Sequence, residues 1–90
     1  MTTATLLNAV SATGASRSIG TDCNLPAFVQ VTGITSATAV VQGSVDNTNW
    51  STLATALTAD GLVTIATPPP FIRVNVTVYV SGTITAKISY

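Results

Sequence analysis

The chain has 90 residues, enough for one domain over 1–90, and only six carry a formal charge: Arg17, Asp22, Asp46, Asp60, Arg73 and Lys87. An ordinary soluble domain is charged at about a quarter of its positions. With no histidine, no glutamate and a net charge of zero, the sequence lacks the usual acid–base catalysts, most metal-ligand sets and the clustered Lys and Arg of nucleic-acid binding. The surface must therefore be neutral, built from Thr, Ser, Asn, Ala and exposed aliphatics, which suits packing against other protein.

The single Cys23 rules out an internal disulfide and suggests no oxidising export route. Residues 1–16 are partly apolar but have no basic leader, so no secretory signal is expected. No apolar run approaches the ~20 residues that span a bilayer. The expectation is a soluble protein, made in a cytoplasm and not processed.

Threonine occurs seventeen times and valine is abundant, and both favour the extended pleat. In chain order, Thr5–Val10 reads as a strand, Ala12–Gly14 as a turn and Ser16–Ile19 as a short strand. Ala27–Val31 is a strand that Thr32-Gly33 should stop. Ala39–Val45 follows and ends at Asp46-Asn47-Thr48-Asn49, residues that favour Asx turns and left-handed backbone. Trp50–Ala56 reads as the return strand, although Leu53 and Leu57 are four apart and the alanines would also suit a helix over 51–59. The alternating threonines and the hairpin dipeptide Asp60-Gly61 favour the strand, with Leu62–Ala66 beyond the turn.

Pro68-Pro69-Pro70 cannot donate to a ladder and should form an extended crossover into Phe71. Phe71–Tyr79 alternates cleanly: Ile72, Val74, Val76 and Val78 face one way, and Phe71, Arg73, Asn75, Thr77 and Tyr79 the other. Ser81-Gly82 reads as a turn, and Thr83–Tyr90 alternates again with Ile84, Ala86 and Ile88 on one side. The two runs predict a hairpin with Val74, Val76, Ile84 and Ile88 in the core. About seven to eight short strands closed by turn residues predict an all-β fold, an antiparallel β-sandwich.

The residues give little chemistry. Cys23 has no histidine to activate it, and its neighbour Asp22 would raise its pKa, so it reads as an inert thiol. Asp22, Asp46 and Asp60 all sit in turn contexts rather than as a catalytic pair. The 46–49 segment offers hard oxygen ligands but lacks the mid-loop glycine and distal carboxylate of a calcium loop. The glycines of the chain are singletons, so no phosphate loop is expected. Asn49-Trp50-Ser51 and Asn75-Val76-Thr77 match glycosylation sequons, read as chance without export. No catalytic residue, cofactor or metal site is expected. Trp50 is either a sugar-stacking platform or a core or interface anchor, and Phe71, Arg73, Tyr79 and Tyr90 form a candidate contact row.

Three segments also carry a resemblance. Thr5-Leu6-Leu7-Asn8-Ala9-Val10-Ser11-Ala12-Thr13-Gly14-Ala15 resembles the first strand and turn of small virion proteins of tailed bacteriophages. Val41-Gln42-Gly43-Ser44-Val45-Asp46-Asn47-Thr48-Asn49-Trp50 resembles their QGSxDGTNW segment, with Asn47 where glycine is frequent. Phe71-Ile72-Arg73-Val74-Asn75-Val76-Thr77 and Ser81-Gly82-Thr83-Ile84-Thr85 are similar to their closing YIRxxVT…SGTxT hairpin. The resemblance implies a non-enzymatic virion structural role. It points first to a head decoration (cement) protein on the capsid surface, made in the host cytoplasm. The implied partners are the major capsid protein and further copies of the chain, as a trimer, with no nucleic acid and no membrane. Related modules also occur in tails and within fibres, so a tail or neck component is a competing reading, and a carbohydrate-binding module using Trp50 and the turn at 46–49 is the reading from another class.

Overall fold

The computed structural model describes residues 2–21 and 25–90, so Asp22 and Cys23 lie outside the described residues. Seven strands follow in order: β1 (Thr3–Val10), β2 (Gly14–Ala15), β3 (Ile19–Gly20), β4 (Ala27–Ser44), β5 (Ser51–Thr52), β6 (Gly61–Ile65) and β7 (Phe71–Ser89). All pairings are antiparallel and join into one sheet, and there is no helix among the described residues. The all-β, antiparallel expectation from Thr and Val content holds.

The centre of the sheet differs from the expected hairpin. β4 and β7 are single strands of 18 and 19 residues. They pair along their whole length, from Phe28↔Ser89 to Ser44↔Phe71. Neither Thr32-Gly33 nor Ser81-Gly82 ends a strand. At ~3.3 Å per residue a straight strand of this length would run roughly 60 Å, yet the longest dimension of the molecule is 36 Å. Both strands must therefore bend.

The bend lies where the ladder shifts register four times, between Thr32 and Ala39. Gly33 (φ +83°) and Gly82 (φ +116°) have backbone that side-chain-bearing residues rarely adopt. Residues that suit a hairpin turn equally suit a bulge inside a continuous strand, which is why the dipeptides misled. Two side chains brace the bend. The Ile34 N–H donates to Asp60 Oδ1 at 2.9 Å, and the Tyr79 hydroxyl donates to the Gly82 carbonyl at 2.7 Å.

On one side of the bend β6 and β1 flank the pair, and on the other side β5, β2 and β3 do. Asp60-Gly61 accordingly closes no hairpin, because β6 joins the first half of β4. The return strand read at Trp50–Ala56 shrinks to Ser51–Thr52 plus a single bridge from Leu57 to Ala39. Ser16–Ile19 is replaced by the two short strands β2 and β3.

One core takes side chains from both halves of the bent sheet. Val29 and Val31 join Ile84, Ala86 and Ile88 from the first half, and Ala39 and Val41 join Ile72, Val74 and Val76 from the second. All four residues expected in the core are there, each at most 1% exposed. Val78 is not. Val78 pairs with Thr38 and Val76 with Ala39, so Thr77 is an extra residue that breaks the alternation, leaving Val78 52% exposed.

Candidate functional site

The loop after β4 is organised by Asp46. Its Oδ1 accepts the backbone N–H groups of Thr48 and Asn49, both at 2.9 Å, and the Ser44 hydroxyl at 2.8 Å; its Oδ2 accepts Asn49 Nδ2. The backbone N–H of Asn49, then that of Thr48, then the Asn49 and Ser44 side chains hold the Asp46 carboxyl well below the usual carboxylate range. Asn47 adopts a left-handed φ of 62°, which suits asparagine or glycine. These oxygens close the turn. Asp60 is likewise occupied at the bend. Among the described residues no three His, Cys, Asp or Glu side chains come together.

The turn delivers Trp50 onto the outer face of the sheet. Gln42 and Arg73 are direct cross-strand partners there. The Arg73 Nε–H donates to Gln42 Oε1 at 2.9 Å, and the guanidinium carbon sits 4.3 Å from the centre of the Trp50 ring. The cation–π contact and the amide together fix the guanidinium plane, with no carboxylate partner among the described residues. Phe71 is half-buried two positions before Arg73 on the same strand, opposite Ser44.

Three of the five candidate contact residues therefore lie together: Trp50, Arg73 and Phe71. The other two do not join them. The break in alternation at Thr77 turns Tyr79 towards the core, with its hydroxyl spent on Gly82. Tyr90 packs against the core at the far end of β7, where its backbone exchanges hydrogen bonds with Thr2. Gln42 belongs to the cluster but was missed, because only the long-range register between β4 and β7 brings it to Arg73.

Beside the turn lies a shallow hollow of about 360 Å³, lined by Gly43, Ser44, Val45, Asn49, Ser51, Leu53 and Pro69. No aromatic ring lines it. Leu25, Val45, Leu53, Leu62, Val78 and Val80 stand exposed, Val78 although the alternation set it on the face of Ile72, Val74 and Val76. No protein-family model, curated protein or solved structure matches the chain.

Proposed function

We propose that this chain is a non-enzymatic virion structural protein that decorates the outside of a tailed-phage head and stabilises it. The observation that carries the reading is the surface: among the described residues six large aliphatic side chains stand exposed, on a chain with six formal charges and no net charge. Such a surface favours dense packing beside protein neighbours, since it has little charge to repel adjacent copies on a lattice. The resemblance at 5–15, 41–50 and 71–85 names the kind of assembly, with the major capsid protein and other copies as partners. Arg73 held on Trp50, with Phe71 beside it, is a pre-set contact of the sort enriched where proteins meet.

A subunit that binds only the assembled shell stabilises it by mass action, by RT ln(1 + [L]/Kd) per site. Small increments repeated over a lattice then resist heat and internal pressure. Attachment should survive high salt, because few charges are there to be screened. The test is to image intact particles and to strip and restore the protein. Density on the outer head surface, with stripped heads losing genome at lower temperature and regaining resistance on add-back, is expected. Density confined to tail or neck, or stripped heads of unchanged heat stability, would defeat the assignment.

A further inference from the structure

A sheet edge presents a row of backbone N–H and C=O groups, and folded proteins guard such edges with charge, proline, irregularity or brevity. Most of the described edges are guarded here, and the uncovered stretches of β4 and β7 at the bend carry its register shifts. β1 has register shifts on both sides of Leu7 and a left-handed Ala9, and Arg17 Nη2 donates to its Thr5 carbonyl at 3.1 Å. β2, β3 and β5 have two residues each.

β6 has no such protection. It pairs with β4 over five successive rungs, Ala27↔Ile65 to Val31↔Gly61, without a shift. Its residues, Gly61-Leu62-Val63-Thr64-Ile65, include no charge and no proline. No strand among the described residues pairs with its other edge. Leu62 is 63% exposed on it, next to exposed Thr64.

We propose that the free edge of β6 pairs with β6 of a second copy of this chain, antiparallel and two-fold about Val63. The strand is its own complement in that register. Val63 meets its equivalent, Gly61 lies opposite Ile65, and Leu62 lies opposite Thr64. The exposed leucine is then covered by a threonine methyl directly and by the other leucine diagonally. Charge does not oppose the approach. The nearest ionised group, Asp60, is engaged by Ile34, and the two copies of it fall at opposite ends of the pair. A strand of equal length, equal neutrality and matching register is what a second copy supplies. The proposal is independent of the head-decoration reading.

Five rungs bury less than the roughly 1,000 Å² of a stable interface, so the dimer is weak and is sought at high protein concentration. The test is sedimentation of the free full chain over a wide concentration range. It compares wild type with L62K/T64K, which sets like charges opposite each other twice, and L62K/T64E, which sets opposite charges there. The β4 neighbours of these positions, Gln30 and Phe28, are uncharged, so the fold tolerates both variants, as circular dichroism will verify. The wild type should dimerise, L62K/T64K should weaken the dimer by about tenfold or more, and L62K/T64E should restore it. A strictly monomeric wild type, a trimer, association indifferent to L62K/T64K, or failure of L62K/T64E to rescue would each overturn the proposal.

Discussion

Gly33→Ala tests the bend more directly than any other substitution. A methyl group on Gly33 would stand 2.9 Å from the Thr83 carbonyl carbon, and far inside contact distance of its oxygen. Both are backbone atoms, so no side-chain rotation relieves the clash. The φ of +83° by itself costs an L residue ~1–2 kcal/mol, and displacing packed backbone adds ~1–3 kcal/mol. The expected loss is about 2–5 kcal/mol, from a total of roughly 5–13 kcal/mol for a domain of this size. At about 1.5 kcal/mol per M of urea, the unfolding midpoint should drop by roughly 1–3 M. Two controls separate the terms. Gly14 also has positive φ but open space around it, whereas Gly20 has ordinary φ and its nearest neighbour, Pro70 O, is 3.9 Å away. Gly14→Ala should show the strain alone, and Gly20→Ala a change within ~0.5 kcal/mol. If Gly33→Ala cost no more than Gly14→Ala, the two long strands would not be pressed together at the bend, and this account of the fold would fail.

Val76→Asp should prevent folding, since it puts an unpaired charge at a position 1% exposed and removes at least about 4 kcal/mol; a cooperative thermal transition near that of wild type would contradict it. Ala9→Gly should stabilise by about 0.5–1 kcal/mol and raise Tm by a few degrees, because Ala9 holds φ 51°; calorimetry showing a lower Tm would refute the strain. The depressed Asp46 carboxyl stabilises the fold above its unfolded value of 3.8. That contribution should fade as pH falls below it, so acid titration of Asp46→Asn should show a shallower loss below pH ~4 than wild type. Trp50→Ala should lower stability by ~1–3 kcal/mol through lost packing and the lost Arg73 contact. A glycan array with a Trp50-dependent hit and unchanged stability would instead favour a sugar platform.

What could be read in advance depended on range along the chain. The alternation at Ile72, Val74, Val76 and again at Ile84, Ala86, Ile88 identified core residues, because parity along a strand is a local property. The 46–49 turn was also legible, since Asp46, Thr48 and Asn49 close it among themselves. The joining of these runs into one bent strand was not legible. A glycine dipeptide is compatible with a reversal or a bulge, and the choice depends on whether β4 is there to pair with both sides. The same holds for the contact row: Trp50 and Arg73 meet only through the rung Gln42↔Arg73. Tyr79 left the row because one extra residue at Thr77 changed the face of what followed.

The central place of β7 sets the order in which the chain can fold. β4 can recruit β5 across the Asp46 turn and β6 through its first half, but among the described residues β1, β2 and β3 have no strand partner except β7. The first rung between the two long strands, Ser44↔Phe71, requires closure of the whole 45–70 loop, an entropy cost of about 3 kcal/mol before any return. Only after that can pairing run on towards Gly33 and Gly82 and continue past them. During synthesis, everything up to β3 leaves the ribosome with nothing to pair against and must wait for Phe71–Ser89. A ribosome-bound chain stalled before Phe71 should therefore remain open to proteolysis and chaperones, and release of the full chain should bring one slow, cooperative folding step.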